Sequence, residues 1–413
     1  MKKIAIITLA VALEGEKGYT RFRSLAEILS QWYEIDLITS TFQHWEKKQR
    51  SYEQEQRTNL SYNVQLAFEP GYKKNVDIKR VISHRIVVKN ILNLLKKKPY
   101  DLIYCIIPDN RVAAKVGEYA KRNKISYIVD VEDLWPEAME MVSPFPNCIN
   151  RILFKSYRNN ALVAYQNADA FIGTSDEYRD VPSKLYGICG KPSHTVYVGC
   201  EVGEFDKGVK EYLTDIEKPQ GEWWVTYAGN LGSSYDISTL IKTAQELYED
   251  GFLKIHIKIL GGGPLENEFK RIAREKPCNV EFIGYVPYKK MAAFLAKSDV
   301  LINSFVKKAP QSIVTKIGDY LSAGKPIINT LSSEEFRKKV ETDGFGVNVE
   351  AENINVLKEC ILSLYDNPDL CNKLGKKSRQ IAEEQFNRKK SYMIIKEMID
   401  TLIDRNSVER CKD

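Results

Sequence analysis

Residues 223–240 read WWVTYAGNLGSSYDISTL, and the fold is read outward from this run. The apolar stretch at 223–228 predicts a buried strand. Gly229, Asn230 and Gly232 predict a tight turn, and the residues after them the start of a helix. Glycines in such a turn let the backbone approach a ligand closely. The pattern recurs downstream. At 255–263 the alternating strand IHIKIL runs into Gly261, Gly262 and Gly263. At 280–287, VEFIGYVP is another strand ending in glycine. At 309–329, APQSIVTKIGDYLSAGKPIIN predicts a loop with Pro310, a helix from about Ser312 to Ser322, a stop at Ala323-Gly324, and an apolar strand. Open α/β sheets bind ligands at the carboxyl ends of their strands. One glycine turn says little; four in order within about a hundred residues point to a ligand-binding half.

The helix expected from Ser312 adds chemistry. The first N–H groups of a helix have no partner within it, and that end carries partial positive charge, so an anion can sit there. Lys316 and Asp319 lie three apart and share a helical face. A cation suits the diphosphate of a nucleotide sugar, and a carboxylate suits the ribose hydroxyls. A plain amphipathic helix with a solvated charge pair reads equally well on this segment alone.

Around these segments, strand-like and helix-like stretches alternate, which argues for doubly wound parallel sheets. In the first half strands are expected at 4–12, 35–39, 102–107, 126–130 and 170–174, with helices near 20–32, 79–97, 110–123 and 149–167. Residues 195–220 read as a crossing. In the second half strands are expected at 223–228, 255–260, 280–283, 299–303, 326–329 and 347–349. The tail 353–404 reads as helical with a break at Asn367-Pro368. A chain of 413 residues, 43% hydrophobic and 28% charged, suits two or three globular domains. No run approaches the ~18 apolar residues of a membrane span. Lys2-Lys3 followed by IAIITLAVAL imitates a signal peptide. The run passes into Glu14-Gly15-Glu16-Lys17-Gly18 without a small-x-small site, so a buried first strand is preferred. The eight cysteines, Cys411 among them, show no metal-ligand spacing with the four histidines and read as thiols in a reducing compartment. The net charge of +6 fits phosphate-rich substrates or an anionic membrane face. No nucleic-acid partner is expected.

Six pieces carry a family resemblance: YAGNLGSSYDISTLI, ILGGGPLENEFKRI, VEFIGYVPYKKMAAFLAKSDVLIN and TKIGDYLSAGKPIIN, with VEDLWPEAM (131–139) and YVGCEVGEF (197–205) upstream. Across nearly its whole length the chain resembles the GT-B glycosyltransferases, specifically the bacterial family 4 group of capsule, exopolysaccharide and lipopolysaccharide synthesis. The resemblance implies two Rossmann-like, doubly wound domains facing a central cleft. Residues 1–200 would form the acceptor domain and 201–389 the nucleotide-sugar donor domain. The C-terminal helix, about 390–413, would cross back to the first domain. It also implies transfer of a sugar from a UDP- or GDP-linked donor to a lipid-linked or growing polysaccharide acceptor. Retention would follow from front-face substitution, with the leaving phosphate taking the acceptor proton and no protein nucleophile. No cofactor and no metal are implied.

On this reading the donor is bound by Gly229, Asn230, Gly262, Gly263, Tyr285, Ser312, Lys316 and Asp319. Asp319 would hold the ribose, and Tyr285 would lie near the base. Lys316 would stabilise the departing diphosphate, Gln311 would face the donor sugar, and Asp133 would orient or deprotonate the acceptor hydroxyl. Gly18, Arg21, His44, Glu132 and Trp135 would line the acceptor side. For Arg21, His44, Trp135 and Tyr285 plain structural roles compete. The sequence also departs from the family. Gln311 and Asp319 stand where many members have two glutamates. Asn230 and Tyr235 stand where many have arginine and lysine. A sub-branch uses a lysine equivalent to Lys316. Asp109 stands where many have a histidine after the fourth strand.

Segment 72–98, YKKNVDIKRVISHRIVVKNILNLLKKK, holds nine Lys/Arg against Asp77, with a broad apolar side. It reads either as a helix lying on an anionic membrane or as a domain helix with solvated lysines. With the family's lipid-linked acceptors, this places the protein in the cytoplasm, at most peripheral on the inner face of the plasma membrane. Two rival functions stand beside the active transferase: a catalytically degenerate GT-B protein that binds a partner transferase or glycan, and a nucleotide-sugar epimerase.

Overall fold

A computed structural model describes residues 1–16, 18–50, 60–73, 78–141, 143, 145–309 and 311–410. Lys17, Lys74, Asp77, Pro310 and Cys411, named above, lie outside the described residues. The chain divides into two compact units, Met1–Val196 with Tyr392–Asp413, and Tyr197–Ser391.

The strands of the first unit are β1 Lys3–Ile7, β2 Glu34–Ser40, β3 Phe42–Gln43, β4 Lys48–Gln49, β5 Asn63–Ala67, β6 Leu102–Ile107, β7 Ser126–Val131, β8 Ala170–Gly173 and β9 Ser193–Thr195. Seven of them form one sheet in the order β5-β2-β1-β6-β7-β8-β9. Every neighbouring pair is parallel. Its helices are α1 Arg21–Leu29, α2 Ile78–Leu95, α3 Asn110–Arg122, α4 Glu137–Met141, α5 Asn147–Leu153, α6 Lys155–Asn167, α7 Asp176–Arg179 and α8 Val181–Lys184. Side chains of a strand alternate between faces. Ile4 and Ile6 therefore pack with Phe22 and Leu25 of α1, while Ala5 and Ile7 pack with Val87 and Ile91 of α2 and Val116 of α3. Both faces are covered, which is why β6 and β7 are buried throughout.

The second unit repeats the plan with β10 Trp223–Ala228, β11 Ile255–Leu260, β12 Val280–Gly284, β13 Val300–Asn303, β14 Ile327–Asn329 and β15 Gly346–Asn348. Their order is β12-β11-β10-β13-β14-β15, again all parallel. The helices are α9 Val202–Tyr212, α10 Ile237–Glu249, α11 Glu266–Glu275, α12 Tyr288–Lys297, α13 Ile317–Ser322, α14 Glu334–Asp343, α15 Ile354–Tyr365, α16 Pro368–Ile381 and α17 Arg388–Ser391. The break at Asn367 is a helix start, its side chain accepting from the Leu370 N–H. The last helix, α18 Met393–Arg410, belongs to the first unit. Ile395, Ile399 and Leu402 share a core with Ile4 and Ile6. In each sheet the first strand is flanked by the second on one side and a later one on the other. That reversal beside β1 and β10 leaves a crevice at the strands' carboxyl ends.

Three expectations are corrected. The first strand ends at Ile7, not Ala12, because the Thr8 hydroxyl accepts from the Ala10 N–H at 3.1 Å and turns the chain. Val11 and Leu13 are buried all the same, so the apolar run marks core rather than strand. The helix expected from Ser312 starts at Ile317, and Ser312 lies in a bend. Ile313, Val314 and Thr315 are consecutive β-branched residues, which resist the helix. Strands β5 and β9 and the hairpin β3–β4 escaped the sequence reading, being short or rich in polar residues.

Candidate functional site

The glycine segments of the second unit meet at the carboxyl ends of β10, β11 and β12. Gly261 N–H donates to Gly284 O at 2.8 Å, and Leu231 N–H to Gly262 O at 3.0 Å. Gly261 has φ +116°, and a Cβ there would fall 1.9 Å from Gly229 O. At Gly263 a Cβ would come within 2.5 Å of Leu231 O. Side chains are excluded at both positions, so backbone lies directly on backbone.

Lys316 occupies the centre of this junction. Its Nζ is shielded from water and has no hydrogen-bond partner among the described residues. It sits among four rings, 4.2 Å from the Tyr227 centroid, 4.8 Å from Tyr235, 5.0 Å from Phe305 and 5.8 Å from Tyr320. A Cβ on Gly229 would be 3.5 Å from it. Burial lowers its pKa from the usual lysine range to about 7. Aromatic faces attract a cation but cannot replace an anion or water. Gln311 Oε1 and Ser312 Oγ are also buried and unpartnered. Three polar groups within six residues are therefore without hydrogen-bond partners among the described residues, and Lys316 stands beside the glycine turn.

Asp319, one turn further on, accepts from the Tyr288 hydroxyl at 2.7 Å. Burial pushes its pKa up to about 6, although Tyr288 and Arg388 favour the carboxylate. Asn230 is exposed, and its carbonyl accepts from the Tyr227 hydroxyl at 2.7 Å. Tyr285 follows β12 and is 68% exposed. The structure thus gathers Gly229, Asn230, Gly262, Gly263 and Lys316, with Gln311, Ser312 and Asp319 on the same segment. Tyr227, Tyr235, Phe305, Tyr320 and Tyr288 were not proposed from sequence as binding residues. Their only signal is aromatic residues at or just beyond strand ends and on α12 and α13, which ordinary packing also produces.

In the first unit, the loops after β3, β5, β6 and β7, together with α2, carry a second polar cluster. Asp109 caps α3, accepting from the N–H groups of Arg111 at 2.8 Å and Val112 at 3.1 Å, and pairs with His84 of α2. Burial alone would raise Asp109, but His84 and the two N–H groups hold it near 2. Glu69 accepts from the Ser83 hydroxyl at 2.8 Å and stands 3.8 Å from His84. His44 Nδ1 lies 2.6 Å from the Tyr72 hydroxyl. Burial, then Lys47 and Arg80, depress His44 to about 4, so it is neutral at physiological pH. The Arg80 guanidinium lies 4.6 Å from the Trp135 ring and 5.4 Å from that of Tyr72. A small cavity is lined by Val81, His84, Asp109, Arg111, Tyr157 and Asn160, among others. Tyr72, Arg80 and His84 went unassigned in the sequence. The four-residue spacing of Arg80 and His84 on α2 was the available signal.

Arg21 is corrected. It does not reach outward to an acceptor phosphate but is fully buried, donating to Asp130 at 2.9 Å and to Val196 O at 3.2 Å and ion-paired with Glu132 at 3.1 Å. Glu132 is drawn into the same cluster by the Tyr19 hydroxyl at 2.8 Å, and burial raises its pKa. Asp133 spends both oxygens within its own loop, on Leu134 N–H at 2.9 Å and Trp135 Nε1 at 3.1 Å. Gly18 is exposed in the turn before α1. Among the described residues no group of three or more His, Cys, Asp or Glu side chains is placed to hold a metal ion.

Two units, each built on an all-parallel main sheet, have the fold of GT-B glycosyltransferases. Residues 209–381, within the second unit, match the family model described as "Glycosyl transferases group 1". A curated relative from Methanocaldococcus jannaschii, described as an uncharacterized glycosyltransferase, is 26% identical over 216 residues. That match spans 51% of this chain and 53% of the relative. Solved structures of similar fold include sucrose-phosphate synthase from Thermosynechococcus elongatus, with TM-score 0.72, 16% identity, and coverage of 98% of this chain and 100% of that one. Anabaena HepE, solved with UDP, gives 0.68 and 12%, covering 97% and 100%. WaaG, a glycosyltransferase involved in lipopolysaccharide biosynthesis, gives 0.66 and 13%, covering 97% and 99%.

Proposed function

We propose that this protein transfers a sugar, with retention, from a nucleotide-diphosphate sugar to a lipid-linked or growing surface-polysaccharide acceptor. The observation that carries the reading is Lys316 Nζ, desolvated and unpartnered beside the glycine turn at the end of β10. A buried ammonium without an anion is costly, and a diphosphate supplies one. The departing diphosphate would be stabilised by Lys316 and the turn amide at Asn230; the Gly229 N–H, expected from sequence to join them, donates instead to Leu260 O at 3.0 Å. Asp319 would accept from the ribose hydroxyls, and Gln311 would face the donor sugar. The complex of HepE with UDP supports a uridine nucleotide as a first candidate donor.

Acceptor handling is assigned to the first unit, where His44, Arg80 and Trp135 converge and Asp133 fixes the Trp135 loop. Peripheral contact with an anionic membrane belongs to this reading, and among the described residues no helix is long and apolar enough to cross a bilayer. A thermal-shift panel of nucleotide sugars tests the donor assignment. A true donor present at a hundred times its dissociation constant adds about 2.7 kcal/mol of stability. A panel in which no nucleotide sugar raises the melting temperature would refute it.

A further inference from the structure

Helix α5 is inverted relative to water. The one buried side chain on it is polar: Asn150, held by the Ser143 hydroxyl at 2.7 Å and donating to Phe145 O at 3.1 Å. Its apolar side chains face outward. Ile152 is 77% exposed, Leu153 51% and Ile149 42%, and Phe145, just before the helix, is 51% exposed. Positions 149, 152 and 153 follow helical spacing and share one face as a ridge, and Phe145 adds an exposed ring two residues ahead of the helix. Soluble proteins scatter exposed apolar residues singly, and a contiguous set marks an interaction surface.

The charges around the ridge point to the partner. No Asp or Glu occurs between Glu140 and Asp169, whereas Arg151, Lys155 and Arg158 do. Arg151 and Lys155 are exposed. Val81 and His84 of α2 line the same small cavity as Ser156 and Tyr157 of α6, so the basic helix α2 lies alongside. Arg85 and Lys89 of α2 are exposed as well, and so is its Ile82. Most of the apolar side of α2 is spent on the core: Val87, Val88, Ile91 and Leu95 are buried, and Val81, Ile86 and Leu92 are half-buried. Lys98 is paired with Asp36. Helix α2 therefore offers charge but little apolar surface, and α5 offers the apolar side chains.

We propose that the Phe145–Ile149–Ile152–Leu153 ridge inserts into the interface of an anionic lipid bilayer, with Arg151, Lys155, Arg85 and Lys89 at headgroup level. Aliphatic and phenylalanine side chains flanked by basic residues fit a lipid surface. Protein interfaces also enrich phenylalanine and arginine but are depleted in lysine, so the exposed Lys155 and Lys89 favour the lipid surface. The surface extends the reading of a lipid-linked acceptor, since it would bring the first unit to where such an acceptor lies.

Co-sedimentation of the full chain with phosphatidylglycerol-containing and pure phosphatidylcholine vesicles tests it. The wild type is expected to bind the anionic vesicles and to release as salt rises. Ile152→Ser with Leu153→Ser should keep the melting temperature, because both side chains are exposed, and weaken vesicle binding about tenfold or more. Three results would overturn the proposal. The wild type does not bind; or the double variant binds like wild type; or the ridge instead mediates a concentration-dependent dimer that the double variant abolishes without any vesicle binding. Titration of both proteins with UDP serves as the separate arm. Unchanged UDP binding in a variant that has left the membrane keeps the donor site intact, while absence of UDP binding in both counts against the donor assignment alone.

Discussion

Lys316 concentrates the chemistry of the second unit in one atom. A lysine ringed by Tyr227, Tyr235, Phe305 and Tyr320 has no acceptor of its own among the described residues. Lys316→Ala is therefore expected to weaken a nucleotide diphosphate far more than the matching nucleoside, by roughly 1.5–3 kcal/mol, the usual size of a charge-assisted hydrogen bond. Calorimetry with UDP and uridine separates the two, and equal losses for both would remove Lys316 from the phosphate site. Asp319→Ala should cost affinity for ribonucleotides and spare 2′,3′-dideoxy analogues. Their three-residue spacing singles out Lys316 and Asp319 in the sequence, but not that Lys316 lies ahead of α13 among rings while Asp319 accepts from Tyr288. The ring cage was not legible, because Tyr227, Tyr235 and Phe305 come from separate segments that only the sheet brings together. The same blindness misplaced Arg21: an arginine at a helix start reads as exposed until Asp130 and Glu132, over a hundred residues away, are seen to enclose it.

The elements that the sequence announced most clearly are those fixed by local pattern. The runs LIYCII, WWVTYA and IHIKIL became strands over the residues expected, since fully buried parallel strands need continuous or alternating apolar side chains. Element ends fared worse wherever a side chain or β-branched run intervened, as at Thr8 and at Ile313 to Thr315. The glycine segments were legible as turns, but their mutual packing was not. That packing makes Gly263→Ala a sharp test. A Cβ there meets Leu231 backbone at 2.5 Å, so the variant should lose about 1–3 kcal/mol of stability and bind donor more weakly. Gly203 of α9, like Gly263, has no positive φ but has open space around a Cβ, and its alanine variant serves as the control without the clash. A melting temperature equal to wild type for Gly263→Ala would contradict the close approach of the two loops.

At the scale of the molecule, the candidate donor residues all lie in Tyr197–Ser391 and the candidate acceptor residues all in the other unit. The second unit encloses its own two cores. A Tyr197–Ser391 fragment is accordingly expected to bind the nucleotide sugar and to transfer nothing; transfer at the full rate would show that the first unit is dispensable. The central claim is that the end of β10 takes a diphosphate through Lys316, and proton linkage tests it most directly. In the free protein the Lys316 pKa is lowered to about 7, so at pH 8 most molecules hold a neutral amine there. A bound diphosphate favours the ammonium and raises that pKa, so binding must take up protons above pH 7 and affinity must fall as pH rises. The measurement is a calorimetric titration at pH 8, in two buffers of different ionisation enthalpy. The ligand is the nucleotide sugar that raises the melting temperature most, chosen because its diphosphate bridge does not itself titrate near neutrality. The account predicts uptake approaching about one proton per ligand bound in the wild type, and uptake near zero in Lys316→Ala. Binding of the nucleotide sugar without proton uptake, or with the same uptake in both proteins, would contradict it.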